Sequence, residues 1–346
     1  MYGFCPYVKS ITIDHTKVSA TLTDYPLYID ITNDDLRTVA NGGYVQNSSG
    51  YDIVFTSSTG SINLDHEMEL YVPTTGRVVA WVRIPSLSST SDTVINITYG
   101  CTGISTSQEN ITGVWNSDYY LVHHMGETSG TVYDSTSNNN DSTTESGIYY
   151  HGAGKLGYGF ELDEYQDYYV VDNFSYGDSF TISIWAKVYN NVGSYNQALF
   201  AHGSGSLNTN VYACIHEDSS PYPDDTMIRV RDSAAVQNYL WSDVSAGDPN
   251  SSDGSWHKIS WTRTRAGIST LYVDGQLIDS YSTPSTAWAP NTDLYIGSRF
   301  DLNADRFFGG YLDEFRISTP RSSGWEITEY ANQNSPATFY TVADVV

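Results

Sequence analysis

Asp313 is the residue whose setting in this sequence most needs an explanation. In the run GYLDEFRIS, Asp313, Phe315 and Ile317 alternate with the period of two that places residues on one face of a strand. If Phe315 and Ile317 face the core, the carboxylate is buried with them, which is costly unless it is paired or binds a metal. Residues 134–141, DSTSNNND, offer the oxygen ligands that Ca²⁺ prefers. The sequence therefore predicts a calcium site. The alternative is that Asp134 caps a turn and Asp313 accepts hydrogen bonds from backbone amides.

Two further groups of residues have types that could carry acid–base or metal chemistry. Glu161 and Asp163 have a spacing that resembles the Glu-x-Asp strand of some sandwich-fold glycanases, in which alternating acids serve as nucleophile and acid. Those enzymes need a third acid two residues further on, where this chain has Tyr165. His123 and His124 are adjacent, so on a strand they face opposite sides and do not readily bind one metal. Neither group predicts a catalytic site.

Aromatic side chains offer a different chemistry, the recognition of sugars. Sugar rings stack on the faces of Trp and Tyr, while neighbouring polar groups set the orientation of the ligand. Four aromatic residues in polar segments or on the outward face of a strand are predicted as weak candidates for ligand binding: Trp185, Tyr222, Trp241 and Trp288. For each of them, packing within the protein is the alternative role.

The elements that must position these residues are β-strands. Residues 8–100 contain strand-like runs such as RVVAWVRIP and TVINITYG, with turn-forming glycines between them and no sustained helical period. Later in the chain, SFTISIWAKVY predicts a strand with Phe180, Ile182 and Ile184 on its core face. The Asp-Gly pair at 274–275 predicts a hairpin turn. The chain is therefore predicted to be all-β, with two β-sandwich domains.

Three segments of the second half resemble a known family. They are HHMGETSGTVYDSTSNNNDS, GKLGYGFELDEYQDYYVV and GGYLDEFRIS, at residues 123–142, 154–171 and 309–318. In this order they are similar to the characteristic segments of LamG-like domains, the concanavalin A-type jelly rolls of laminin G modules, pentraxins and many lectins. The resemblance implies that the second domain is such a jelly roll. It also implies a binding function, because domains of this family usually bind ligands rather than transform them.

The first part of the chain resembles an uncharacterised β-rich family that bacteria and phages commonly place before a LamG-like module. The similarity covers about residues 8–115 and rests on ITIDHTKVSATLTDYPLYIDI, GYDIVFTS, LDHEMELY and VAWVRIPSLSSTSDTVINITYG. This family has no established activity, so the resemblance implies architecture and a context in bacterial and phage surface proteins, not chemistry. We expect an N-terminal β-sandwich domain for attachment or docking at residues 1–102, a linker at 103–116 and a LamG-like domain at 117–346.

The LamG-like resemblance also implies positions for the calcium. In similar domains, the corresponding Asp-Ser loop and the Asp of the final Asp-Glu strand commonly surround a bound Ca²⁺. On this chain the correspondence falls on Asp134, on Asn139 or a neighbouring Asn, and on Asp313. These residues are the predicted ligands of Ca²⁺.

The charge balance restricts the class of partner. The 346-residue chain has 16 basic and 40 acidic residues, which gives a formal net charge of −24. Such a surface disfavours nucleic acid and anionic membranes, but not neutral glycans or cations. No apolar stretch is long enough for membrane insertion, and no secretory signal precedes the first strand-like run.

The three cysteines, at positions 5, 101 and 214, are too few for a disulfide framework. They are expected to be free thiols. The alternative is a bridge between Cys5 and Cys101, which bracket the first domain, because the ends of a domain often lie close together.

These patterns favour a non-enzymatic surface protein. A surface-type composition without a visible signal sequence has two interpretations, a mature fragment whose signal was removed or a virion protein, and the second is favoured. A phage is the favoured source, and the alternative location is extracellular or in a cell envelope. The LamG-like domain is expected to bind a glycan or another surface polymer, and the N-terminal domain to attach to a carrier virion or envelope protein. A homo-oligomer is compatible with such a carrier. The alternatives are a purely structural decoration or fibre protein and, third, a glycan-cleaving enzyme.

Overall fold

The structure, a computed structural model, describes residues 5–189, 197–203, 210–215, 226–231, 237–282 and 291–344. The chain divides into two compact units, Met1–Asn116 with Ile327–Val346, and Ser117–Glu326. Strands build both units, which confirms the predicted all-β class. No described helix has the length and the apolar composition that crossing a membrane requires.

The elements are numbered in chain order. The first unit begins with β1 Tyr7–Ile13, β2 Leu22–Thr32, β3 Val54–Ser57, β4 His66–Val72, β5 Arg77–Leu87, β6 Thr93–Tyr99 and α1 Ile111–Val114. The second unit contains β7 Tyr119–His123, β8 Thr144–Ser146, β9 Tyr149–Ala153, β10 Tyr158–Leu162, β11 Tyr168–Ser175, β12 Phe180–Val188, β13 Gln197–His202, β14 Asn210–Ile215, β15 Thr226–Arg231, β16 Gln237–Trp241, β17 His257–Arg263, β18 Ile268–Val273, β19 Gln276–Ser282, β20 Asn291–Ile296 and β21 Gly310–Ser318. The chain continues through α2 Ser323–Asn334, α3 Pro336–Phe339 and β22 Tyr340–Asp344.

The first unit is built from two antiparallel sheets, with strand orders β22-β1-β6-β3 and β2-β5-β4. Alternate residues of β1 and β6, such as Ile11, Ile13, Ile95 and Ile97, are buried in the core. Their period of two is the pattern by which the sequence predicted these strands.

Cys5 and Cys101 form a disulfide, so the expectation of three free thiols is wrong. The cause is the antiparallel pairing of β1 with β6, in which Tyr7 lies opposite Tyr99. Each cysteine is two residues beyond one member of that pair, so the pairing brings them together. Cross-linking residues 96 positions apart restricts the unfolded chain and stabilises the fold by roughly 4–5 kcal/mol. Cys214 is buried in the second unit.

The carboxyl-terminal strand belongs to the first unit. Strand β22 pairs with β1, and Lys9 Nζ lies 2.7 Å from Asp35 Oδ2 and 2.5 Å from Asp344 Oδ1. The sequence predicts one domain over residues 117–346, closed by this strand, whereas the units of the structure divide between Glu326 and Ile327. The difference arises because β22 finds its hydrogen-bonding partner in β1.

The second unit is a sandwich of two antiparallel sheets. One has eight strands, in the order β19-β18-β17-β12-β21-β10-β9 with β7 also paired to β21, and the other has seven, in the order β16-β15-β14-β13-β20-β11-β8. The core lies between them and includes Phe180, Ile182 and Ile184, as predicted. Each sheet therefore has one face in the core and one outer face.

The predicted hairpin turn joins β18 to β19. Asp274 and Gly275 have φ angles of 53° and 73°, the positive values that a tight two-residue hairpin turn requires. Asp274 Oδ2 lies 2.8 Å from His257 Nδ1, and Asp253 Oδ1 lies 3.1 Å from His257 Nε2. Burial lowers the pKa of His257, but the hydrogen bonds and negative charges of the two carboxylates outweigh it and raise the pKa.

Candidate functional site

The carboxylate of Asp134, the first predicted calcium ligand, accepts four hydrogen bonds from neighbouring residues. Its Oδ1 accepts from the amides of Val122 and Thr136, both at 3.0 Å. Its Oδ2 accepts from Thr136 Oγ1 at 2.8 Å and from the Asn140 amide at 2.9 Å. Because a carboxylate has about four acceptor positions, these four donors leave no lone pair for a cation.

Asp313 lies on a different face of its strand from the one predicted. The pairing of β12 with β21 shifts register between Ser183 and Trp185, where Glu314 has a positive φ of 56°. This bulge adds one residue, so Asp313 lies opposite Trp185 on the outer face while Phe315 packs in the core. The prediction that Asp313 points inward with Phe315 is therefore wrong, because strict alternation ends at a bulge.

The predicted ligand set does not fit a calcium site in this structure. Asp313 is fully buried and accepts a hydrogen bond from the Leu156 amide at 2.8 Å. Lys155 Nζ lies over the ring of Trp185, the residue opposite Asp313, so a cation lies near that carboxylate. Burial lowers the pKa of Lys155, and the charges of Asp274 and Asp313 oppose this effect. Asn139 has a left-handed φ of 52° and is exposed, apart from both networks. These contacts favour turn capping and amide binding, and Ca²⁺ stays an untested prediction.

The other acid–base candidates are held by local contacts. Glu161 Oε1 accepts a hydrogen bond from the Tyr189 hydroxyl, and Asp163 Oδ1 accepts one from the Tyr165 amide at 2.8 Å. His123 is fully buried, with Nδ1 3.2 Å from the Tyr169 hydroxyl. Burial lowers the pKa of His123 to about 4, so the ring is neutral near pH 7.

The four aromatic candidates have different fates. Trp185 is 1% exposed, and Lys155 Nζ lies over its ring at 4.9 Å from the centroid, so the prediction of an open platform is wrong there. Tyr222 and Trp288 lie outside the described residues. Trp241 ends β16 and is partly buried on the outer face of the seven-stranded sheet, where it packs on a small apolar cluster.

Alternation along β15 builds a site around Trp241. In the run TMIRVR, Ile228 and Val230 belong to the core. Arg229 and Arg231 must then face outward, because successive strand residues point to opposite sides.

Neighbouring strands add tyrosines beside these arginines. Tyr212 of β14 lies opposite Arg229, and Arg229 lies opposite Tyr239 of β16. Trp241 follows Tyr239 on the same side of β16. We call the side chains of Tyr212, Arg229, Arg231, Tyr239 and Trp241 the arginine–aromatic face.

Tyr239 and Trp241 are the rings that this face presents, because Tyr212 is only 2% exposed. Tyr239 is 41% exposed, and its ring stacks on that of Trp241 with centroids 5.6 Å apart and an interplanar angle of 24°. The Trp241 amide donates to Asp279 Oδ2 at 3.1 Å, which fixes the end of the strand. The Arg229 guanidinium lies over the Tyr212 ring, with Cζ 5.5 Å from the centroid, a distance typical of a cation–π contact.

A third arginine borders the arginine–aromatic face from the segment after β20. Arg299 Cζ lies 5.5 Å from the Tyr212 centroid and 5.0 Å from that of Phe300. Unlike Arg229, it has a carboxylate near, since its Nη2 is 3.5 Å from Asp301 Oδ2. Arg306 shares this carboxylate, since its Nη1 is also 3.5 Å from Asp301 Oδ2, so one acidic group serves two arginines at the border.

The residues predicted from the sequence do not include Tyr212, Arg229, Arg231 or Tyr239. A signal for the arginines is present in TMIRVR, where apolar and basic residues alternate. The tyrosines carry no such signal, because only strand pairing brings them beside Arg229.

Comparison with family models agrees with this architecture. Residues 160–328 match the model of the concanavalin A-like lectin/glucanases superfamily, and residues 49–144 match a domain of unknown function, DUF2341. The resemblance to a concanavalin A-like jelly roll preceded by an uncharacterised domain is confirmed. Comparison with curated proteins gives no match.

Solved structures with a similar fold include binding domains. The botulinum neurotoxin serotype D binding domain is 15% identical, with a TM-score of 0.50, over 64% of this chain and 52% of that chain. Domain 4 of AbnA, an extracellular arabinanase from Geobacillus stearothermophilus solved with arabinotriose, is 17% identical, with a TM-score of 0.46, over 62% of this chain and 98% of that chain. The match spans about half the length of the neurotoxin domain. At these identities the likeness concerns the fold alone.

Proposed function

We propose that this chain, whose second unit carries the concanavalin A-like fold, is a non-enzymatic recognition protein that binds a glycan or a similar surface polymer. The observation that carries the proposal is the arginine–aromatic face, in which Tyr239 and Trp241 present stacked rings beside the guanidinium donors of Arg229 and Arg231. Ring platforms with a few polar groups are the composition of a ligand-binding surface.

We also propose a setting for this binding. The chain is displayed on a virion, with a phage as the favoured source and a cell envelope or the extracellular space as the alternative. The first unit attaches it to a carrier, and a homo-oligomer suits such a carrier. Support comes from the DUF2341 match ahead of the lectin-like segment, an order that the sequence resemblance links to surface proteins. Imaging of the native assembly tests this setting, since it shows whether the chain is on the particle surface.

The binding proposal is tested with the full chain on a glycan array, followed by titration of the best glycan. Trp241→Ala should weaken binding about tenfold, the equivalent of ~1.4 kcal/mol, because the ligand loses a stacking surface. Tyr165→Ala is the matched control, since Tyr165 is 72% exposed and lies in the turn after β10, away from β14–β16. Thermal melting of both variants checks that they are folded.

Three outcomes would count against this function. An array without any bound glycan would favour a purely structural decoration or fibre protein. Release of reducing ends from a bound polysaccharide would favour a glycan-cleaving enzyme. If Trp241→Ala and Tyr165→Ala lost equal amounts of glycan affinity, the arginine–aromatic face would not be the binding site. Calcium is a separate prediction, tested by melting in calcium chloride and in EDTA.

A further inference from the structure

We infer that the ligand of the arginine–aromatic face is an acidic saccharide, one that carries carboxylate or sulfate groups. This inference rests on the proposed function, because it specifies the ligand of the same surface. It begins from the charges of Arg229 and Arg231. Neither guanidinium has a carboxylate within ion-pair distance among the residues that the structure describes.

Unpaired arginines are notable in this chain because acidic partners are abundant. With 40 acidic residues against 16 basic ones, most cations could find a carboxylate. In the same unit, Lys258 Nζ lies 2.9 Å from Glu326 Oε2, and Arg316 forms an ion pair with Glu314. Two neighbouring arginines without such a partner therefore leave positive charge for a ligand to neutralise.

The positions of the two arginines suit an anionic group attached to a sugar. They face outward from the same strand, two residues apart, which separates their Cα atoms by about 6.5–7 Å. A guanidinium donates two parallel hydrogen bonds to a carboxylate or sulfate, with a geometry that an ammonium group cannot reproduce. The contact with Tyr212 holds the Arg229 group in place, while Tyr239 and Trp241 offer rings for the sugar itself.

The net charge of −24 limits the kind of acidic ligand. Repulsion between exposed charges is largely screened beyond about 8 Å at physiological ionic strength, so the groups in contact decide the affinity. A nucleic acid needs many phosphate contacts to bind well, whereas this face offers two unpaired arginines. The geometry therefore points to a saccharide with sparse charges rather than to a dense polyanion.

The test compares three trisaccharide probes with the full chain by titration calorimetry: tri-galacturonic acid, neutral tri-galactose and sulfated tri-galactose. The wild type should bind an acidic probe at least about tenfold more tightly than the neutral one, a difference of ~1.4 kcal/mol. Arg229→Gln combined with Arg231→Gln should abolish this preference, because it weakens binding of the acidic probes more than binding of the neutral one. Arg265→Gln combined with Lys17→Gln, at two exposed positions outside β14–β16, is the matched charge control, because it also removes two positive charges, and should retain the preference.

The outcomes separate this inference from the proposed function. If the wild type binds neutral and acidic probes equally and Trp241→Ala weakens both, the face binds sugars and the acidic class is wrong. If Arg265→Gln combined with Lys17→Gln removes the preference as strongly as Arg229→Gln combined with Arg231→Gln, net charge explains it and the inference fails. If no acidic probe binds at any concentration tested, the inference fails, and the proposed function fails with it only when the glycan array also shows no bound glycan. Arg229→Lys keeps the charge but not the two parallel donors of a guanidinium, so it should retain only part of the preference for acidic probes.

Discussion

The outer faces of the two sheets in the second unit differ in how their charges are neutralised. On the eight-stranded sheet, Lys258 of β17 lies 2.9 Å from Glu326 of helix α2, and the two side chains are 3% and 1% exposed. On the seven-stranded sheet, Arg229 and Arg231 are partly exposed and lack a carboxylate among the described residues. The tryptophans differ in the same way, since Trp185 is covered by Lys155 whereas Trp241 stacks beside an exposed tyrosine.

This difference follows from the cost of removing a charge from water. A covered charge is tolerated only with a partner, because desolvation of a lone ion costs several kcal/mol. A face that stays in contact with water can leave a guanidinium unpaired, because solvent and the neighbouring ring stabilise it. Unpaired arginines are therefore a sign of an accessible face.

The largest expected effect concerns the buried pair. Lys258→Ala should lower the free energy of unfolding by about 3–5 kcal/mol, because Glu326 is left buried without its cation. Replacing both residues, by Lys258→Met and Glu326→Leu, should restore most of the loss, since no lone charge remains. Urea unfolding measures the free energy of unfolding of each variant. Arg231→Ala is the control and should lower it by less than about 0.5 kcal/mol. A loss for Arg231→Ala equal to that for Lys258→Ala would erase the contrast between the faces.

A second prediction compares the two tryptophans. Trp185→Ala should destabilise the protein by about 3–5 kcal/mol, the usual cost of removing a buried aromatic side chain. Trp241→Ala should cost about 1 kcal/mol, because its side chain is only partly buried. Chemical unfolding measures the free energy of unfolding of both variants. Glycan titration should give the opposite ranking, with the larger loss of affinity in Trp241→Ala. If Trp185→Ala lowered binding while remaining fully stable, the covered face would have a functional role instead.

The smallest expected effect is a change of stability with pH at His257. Its folded pKa is raised above the ordinary 6.5, so protonated His257 is stabilised by Asp253 and Asp274. That stabilisation is fully present below pH 6.5 and is lost as the pH rises through the folded pKa. The melting temperature of the wild type should thus exceed that of His257→Gln more at pH 5.5 than at pH 9. Arg231→Gln should show a gap independent of pH, and a gap for His257→Gln that widens towards pH 9 would contradict the assignment.

Local patterns in the sequence were sufficient for the strands and their core faces. Phe180, Ile182 and Ile184 pack in the core as their alternation predicts, and the turn at 274–275 forms where its residue types require. Both signals depend only on neighbours within a few residues along the chain. Physical rules of strand geometry apply to such short runs directly.

The errors came from features that depend on pairing between distant strands. The bulge at Glu314 is set by the register of β21 on β12, and it turned Asp313 to the other face. The bridge between Cys5 and Cys101 follows from the pairing of β1 with β6. The arginine–aromatic face also escaped prediction, because Tyr212 meets Arg229 only across a strand boundary. Sequence alternation gives the side of a residue but not its neighbours on that side.

The pairing of β1 with β22 has a consequence for biosynthesis. Lys9 and Asp344 are 335 positions apart, and the segment Ser117–Glu326 lies between the strands that carry them. Because translation is vectorial, this inserted segment can fold on the ribosome while one edge of β1 still waits for a partner. The first unit, which is synthesised first, is thus completed last. Nascent chains that end before β22 keep an open edge on β1, and such an edge favours aggregation.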